Sequence, residues 1–225
     1  MMRQRKGKKL LVYFFLLITI SSINNISLNN IDFQKLKHIK ISGLSETENK
    51  LILDQIENLN LKNTFLIDKK EISNLINSNS LIETFQIFKK YPSTIKIKIK
   101  KTLFLAKMNY KNEIFIIGSN GKLIPNNFHK DKLPFVFGKP EIEEFLKFKK
   151  IIDQSKFSYD HIKSLYYFPS KRWDIKLKNN VLLKLPNNST KTSLDSAYNF
   201  LENYNVGKFT IIDIRVNNQI ILNNE

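Results

Sequence analysis

The chain has 225 residues, with 37 Lys and Arg against 20 Asp and Glu, a formal charge of +17 and no cysteine. Without cysteine there is no disulfide framework and no thiol chemistry, and the length suits one ordinary domain or two small ones. The charge does not signal nucleic acid. Only Arg3, Arg5, Arg172 and Arg215 are arginine, and many lysines alternate with isoleucine, as in Ile95-Lys96-Ile97-Lys98-Ile99-Lys100, the pattern of a solvated strand face rather than a gathered patch. Nucleic acid is therefore set aside as a partner, and attraction to anionic membrane lipid or a cell wall polymer is what remains of the charge.

In chain order, a basic run (Arg3, Arg5, Lys6, Lys8, Lys9) precedes the apolar stretch Leu10 to Leu28. As a helix, Leu10 to Ile20 is about 16 Å long and Leu10 to Leu28 about 28 Å, close to the roughly 30 Å of bilayer hydrocarbon. The expectation is a single transmembrane anchor at 10–28. A cleaved signal peptide shares the charged start, but no Ala-x-Ala follows Ser21 and Ser22; a buried soluble helix is the third reading. Basic residues precede the stretch and none follows until Lys35, so residues 1–9 are expected in the cytoplasm and the remainder outside it.

Beyond a polar connector at 29–35, Leu36 to Ile41 alternates towards Gly43 as a strand. Ser45-x-x-Glu48 is a capping-box pattern, followed by Leu51, Ile52, Gln55, Ile56 and Leu59 on one helical face. A second helix is expected from Asp68, burying Ile72, Leu75 and Ile76. A strand through Phe85 and Ile87, a break at Tyr91-Pro92 and a strand from Thr94 to Lys100 complete a β-α-α-β-β order. Next come a strand at Ile114 to Ile117, the turn Gly118-Ser119-Asn120-Gly121 and a return through Pro125. A helix is expected after Pro140, burying Ile142, Phe145, Leu146 and Ile152, then a strand from Leu165 to Phe168. Arg172 to Pro186 reads as a hairpin, Thr192 to Tyr204 as a helix, and Ile211 to Arg215 as the closing strand, with Ile220 and Ile221 after it.

No catalytic constellation emerges. His38, His129 and His161 are scattered and lack partners at metal-ligand spacing. Ser93-x-x-Lys96 lies in a turn and lacks the companion motifs of a penicillin-binding site, and Gly118 to Gly121 has a hairpin's composition rather than that of a nucleophile elbow or phosphate loop. The expectation is a non-enzyme with no catalytic residue, cofactor or metal.

The run Ile39-x-Ile41-x-Gly43, then Thr64-Phe65-Leu66-Ile67-Asp68, then Lys90-Tyr91-Pro92-Ser93-Thr94-Ile95-Lys96-Ile97-x-Ile99, in order behind one N-terminal apolar segment, resembles a POTRA domain of the FtsQ/DivIB cell-division family. The segment Leu133-Pro134-x-x-x-Gly138 and the closing Asp213-x-Arg215 are similar to that family's second domain. The chain departs from the pattern at Lys101 and Phe104, where the family often has Glu and a nearby Pro, and at Gly118. The resemblance implies an α+β chain: a transmembrane helix, a POTRA domain at 35–102, and at 103–222 a mixed α/β domain with a mainly antiparallel sheet.

It further implies a divisome scaffold of the bacterial inner membrane at the division septum, with its folded domains periplasmic. That scaffold would bind FtsB and FtsL by strand addition at its last strand, with other divisome proteins as further partners. Carried onto this chain, the contact residues are Ile214, Arg215, Val216, Asn217, Asn218 and Ile220, with Arg172 and Trp173 in support. For Arg215 a pair with Asp213 or Glu225 competes with partner binding, and for Trp173 core packing competes with contact. The other class considered is a POTRA-containing accessory of protein translocation or envelope assembly, which usually needs several POTRA copies or a barrel.

Overall fold

Residues 5–23, 38–59, 69–91, 93–126, 133–203, 210–216 and 219–224 are described in a computed structural model of the chain. The folded part divides into two units. One is formed by residues up to 76 together with 85–99, the other by 77–84 together with 100–225.

Helix α1 (Arg5–Ile23) begins five residues ahead of the expected Leu10. Among the described residues no helix is long and apolar enough to cross a membrane. The apolar run is diluted by Lys6, Lys8 and Lys9 at one end and by Ser21 and Ser22 at the other, while residues 24–28 of the expected span lie outside the described residues. The described helix alone therefore does not supply the anchor expected over Leu10 to Leu28. Its apolar side chains from Leu10 to Ile20 are nevertheless exposed, and two of its hydroxyls bond back to the helix: Thr19 donates to the Leu16 carbonyl and Ser22 to the Thr19 carbonyl, both at 2.9 Å. Back-bonding of this kind satisfies hydroxyls without water.

β1 (His38–Ser42), α2 (Glu46–Glu57), α3 (Lys69–Ser78), β2 (Ile82–Lys90) and β3 (Thr94–Lys101) follow the expected order and make up the first unit apart from the end of α3, the start of β2 and the end of β3, which count with the second; Asp68 and the segment Thr64 to Ile67 fall outside the described residues. The capping box is present. Ser45 Oγ accepts from the Glu48 amide at 3.4 Å, and the Glu48 carboxylate accepts the Ser45 N–H at 3.0 Å. The sheet order is β1-β3-β2, with β1 parallel to β3 and Lys40 opposite Lys96. Ile52 and Ile56 of α2 and Ile72 and Ile76 of α3, each pair one helical turn apart, are buried, as are Ile95, Ile97 and Ile99 on one face of β3. Gly43 is obligatory at its position: its φ is +117°, and a Cβ there would run into the Ile99 carbonyl oxygen.

The second unit is built on one nine-stranded sheet. Its strands are β4 (Phe104–Tyr110), β5 (Glu113–Gly118), β6 (Leu123–Pro125), β7 (Phe135–Phe137), β8 (Ile162–Tyr167), β9 (Trp173–Leu177), β10 (Leu182–Lys184), β11 (Ile211–Asp213) and β12 (Ile221–Asn223). The order is β12-β11-β10-β9-β8-β7-β4-β5-β6. Joints β4–β7, β7–β8 and β10–β11 are parallel and the other five antiparallel, so the sheet is mixed with an antiparallel majority. The turn between β4 and β5, Lys111-Asn112, has both residues at positive φ (50° and 65°), the backbone that a two-residue hairpin requires.

Helices α4 (Ile142–Gln154) and α5 (Lys191–Asn203) bury Phe145, Phe148 and Ile152, and Leu194 and Ala197, in one core with Val136, Leu165, Ile175, Leu183 and Ile212. Trp173 is buried there, its ring stacked on Phe148 at 4.7 Å and tilted against Tyr167 at 4.8 Å. Residues 77–84 are tied into this unit by side chains of the β5–β6 turn. Asn120 Nδ2 donates to the Ser80 and Ile82 carbonyls at 3.0 and 2.8 Å, and the Ser119 hydroxyl donates to Glu83 at 2.6 Å.

Candidate partner-binding edge

At one end of the large sheet, alternation sorts the side chains onto two faces. Trp173, Ile175, Leu183 and Ile212 point into the helix-covered core, while the register puts Asp174, Lys184, Asp213 and Ile221 in a row across β9 to β12 on the other face.

Both acids of that row are buried and each is held by an arginine two residues away. Arg215 Nε donates to both Asp213 oxygens at 2.9 Å, and its Nη2 donates to Oδ2 at 2.6 Å. Arg172 donates to Asp174 through Nε at 3.2 Å and Nη2 at 3.4 Å, and its guanidinium lies over the Phe168 ring at 4.2 Å. The hydrogen bond from Arg215 holds the Asp213 carboxyl below the usual carboxylate range, against the opposing effect of burial. Asp174 is pushed the other way: burial outweighs Arg172, the Leu185 amide and the more distant charge of Arg215.

The closing strand is shorter than expected. It ends at Asp213 because Asp213 Oδ1 also accepts the main-chain N–H of Arg215, at 3.0 Å, an i to i+2 bond that turns the chain off the ladder. The tail then comes back as β12, antiparallel to β11, with Ile212 opposite Leu222. The edge of β11 that the expected partner strand was to use is therefore occupied by the chain's own residues, and the terminal edge of the sheet belongs to β12.

The expected contact residues separate accordingly. Ile214 is 9% exposed and its N–H donates to the Lys184 carbonyl at 3.0 Å, so it belongs to the core rather than to a surface. Trp173 is core as well. Arg172 is mostly covered and paired. Arg215 is paired, yet its side chain remains 45% exposed. Val216 and Ile220 are exposed apolar residues, at 51% and 39%. Asn217 and Asn218 lie outside the described residues.

Sequence reasoning did not find β12, nor the cleft of ≈ 430 Å³ beside it, which Pro186, Thr190, Ser193, Ile214, Val216 and Ile220 help to line. A signal for one wall was available in Thr190-x-x-Ser193. The Thr190 N–H donates to the Ser193 hydroxyl at 2.9 Å and the Ser193 N–H to Thr190 Oγ1 at 3.3 Å, a reciprocal cap that starts α5. Among the described residues, no three His, Cys, Asp or Glu side chains gather at metal-binding distance.

The class this architecture defines is an α+β protein in which a small β-α-α-β-β unit precedes a mixed-sheet domain. Residues 34–101 match the FtsQ-type POTRA domain, and residues 106–215 match the C-terminal region of cell division protein FtsQ/DivIB. The chain belongs to the FtsQ/DivIB family of cell division proteins.

Among its relatives, cell division protein FtsQ of Rickettsia bellii (strain RML369-C) is 24% identical over 164 residues, 68% of this chain and 57% of that protein. FtsQ of Rhizobium meliloti (strain 1021) is 24% identical over 155 residues, 67% and 50% respectively, and DivIB of Staphylococcus aureus (strain NCTC 8325 / PS 47) is 24% identical over 139 residues, 61% and 32%. The matched region thus spans about half the length of such relatives. The major extracytoplasmic domain of DivIB from Geobacillus stearothermophilus, as its trans isomer, aligns with 45% of this chain and 89% of its own at 12% identity; its TM-score of 0.32 is too low to carry an argument.

Proposed function

We propose that this chain is a non-enzymatic scaffold of the bacterial divisome, with a POTRA domain over about 35–102 and a partner-binding domain over about 103–222. Its N-terminal apolar segment, continued beyond Ile23, anchors it in the inner membrane at the septum, with residues 1–9 cytoplasmic and the folded units periplasmic. The partner is FtsB, together with FtsL, which adds an extended segment to the free edge of the large sheet.

The observation that carries this reading is the terminal edge. A short outer strand is flanked by exposed Val216 and Ile220 and by an arginine that Asp213 fixes while leaving it half exposed. A partner carboxylate would approach that guanidinium, and apolar partner side chains would occupy the adjoining cleft. Family membership supports the cell-division setting.

The test is co-purification of the FtsB periplasmic segment with the full chain and with a chain cut after Val216, which loses β12 but keeps the core residue Ile214. The expected result is loss of capture on truncation, with the circular dichroism of the remaining fold retained. Undiminished capture overturns the edge as the binding site.

A further inference from the structure

The strand alternation that scatters lysines along the sequence gathers them in space. Lys40 of β1, Lys90 of β2, and Lys96, Lys98 and Lys100 of β3 all stand exposed on the side of the three-stranded sheet opposite the buried isoleucines, with Lys40 directly across from Lys96. The remaining exposed positions of these three strands carry no carboxylate. Among the described residues none of the five ammonium groups is in an ion pair with a carboxylate, and Lys98 lies 5.7 Å from the ring of Phe88, itself 45% exposed. With about 6.8 Å between alternate residues and about 4.8 Å between strands, Lys40, Lys96, Lys98 and Lys100 start from backbone positions within about 15 Å of one another.

We propose that this face binds the anionic headgroup surface of a lipid bilayer. The charge is entirely lysine, a hydrated point charge that suits diffuse attraction, whereas bidentate recognition of individual groups calls for arginine. Phe88 stands among these lysines, and Tyr91, 55% exposed, follows Lys90, an amphipathic ring of the kind enriched at membrane interfaces. The same polypeptide carries the exposed apolar helix α1, joined to β1 by residues 24–37, a connector that reaches at most about 50 Å. The inference rests on the anchored reading above for the nearness of a bilayer, and is independent of FtsB and FtsL. Each lysine near an anionic surface strengthens partitioning by about fivefold, so three of them account for about a hundredfold.

The absence of cysteine makes the test direct. In full-length chain, Gln86→Cys puts one fluorophore on the lysine face, and Tyr13→Cys in a separate sample reports insertion of α1. Each is mixed with vesicles of phosphatidylcholine alone or with about one-third phosphatidylglycerol, carrying a headgroup-level quencher.

Quenching at position 86 should be several-fold greater on the anionic vesicles. It should vanish in the Lys96→Gln, Lys98→Gln, Lys100→Gln triple variant and fade near 1 M salt, where the Debye length falls to about 3 Å. Equal quenching on neutral and anionic vesicles overturns the proposal. So does quenching that survives the triple substitution, or a label silent on vesicles while the chain sediments with isolated cell wall. A silent label at position 13 with anionic-selective quenching at 86 overturns the anchor and leaves the lysine face standing.

Discussion

The two sheets use the same alternation and finish their outer faces in opposite ways. In the small unit the buried side is isoleucine from both helices and β3, and the outer side is rich in lysine that, among the described residues, is in no ion pair with a carboxylate. In the large unit the buried side is rich in aromatics, with Trp173 stacked among Phe148, Tyr167 and Phe145, and the outer side carries acids already matched to Arg172 and Arg215. An uncompensated face acts over a distance and loses strength in salt, whereas a compensated row is short-ranged and fixes geometry. On the two proposals made above, the small unit is suited to a diffuse anionic surface and the large one to an oriented partner.

The largest expected effect comes from the aromatic core. Trp173→Ala should cost about 3–5 kcal/mol, enough to unfold the large unit, and is read by guanidinium denaturation followed in the far ultraviolet. Next is Gly43→Ala, which combines a disfavoured φ with a clash against the Ile99 carbonyl, for about 2–4 kcal/mol. Because the single tryptophan reports on the large unit, amide exchange in β1 and β3 should accelerate in this variant while the tryptophan transition stays in place. A matching shift in both would merge the two units into one cooperative block and break the comparison.

The compensated row is tested by Asp213→Asn, expected to cost about 1–2 kcal/mol near neutral pH, since Arg215 is half exposed. The Asp213 pKa is lowered in the folded state, so its stabilisation is present above the unfolded value of about 3.9 and is lost as pH falls through the folded one. Asp174, whose pKa is raised, contributes the opposite slope over the interval above about 3.9. Urea midpoints measured from about pH 5 downward should therefore drop less steeply in Asp213→Asn than in the parent chain. The smallest change is Ser45→Ala, which removes one half of the α2 capping box for about 1 kcal/mol, visible as a modest shift in thermal midpoint.

What was legible in the sequence was what local chemistry decides. Ser45 and Glu48 form their cap within one turn, and the β3 alternation needs only its own residues. β4 and β7 were not foreseen. Phe104 to Tyr110 buries only Ala106 and Met108 fully, a weak alternating signal, and Phe135 to Phe137 is three residues held between β4 and β8 by parallel pairing that no short-range pattern announces. The end of β11 was misjudged for a physical reason: Ile211-Ile212-Asp213-Ile214-Arg215 has strand composition, but the Asp213 carboxylate takes the Arg215 N–H and stops the ladder. Trp173 is in the core, the reading its hairpin position favoured, whereas for Arg215 the pair with Asp213, the lesser of its two readings, is present with the side chain still 45% exposed. The proposed site moved because the tail that covers β11 is assigned by long-range pairing.

β12 has a consequence for self-association. Three residues at a sheet edge offer two or three main-chain hydrogen bonds, about 0.5–1.5 kcal/mol each. Their sum, about 1–4 kcal/mol, corresponds at best to millimolar affinity. Two copies of this chain meeting edge to edge would stay apart at ordinary concentrations, as short edge strands generally ensure. A cognate segment escapes that limit only by adding side-chain contacts of its own, so the brevity of the strand works as a filter against templated aggregation.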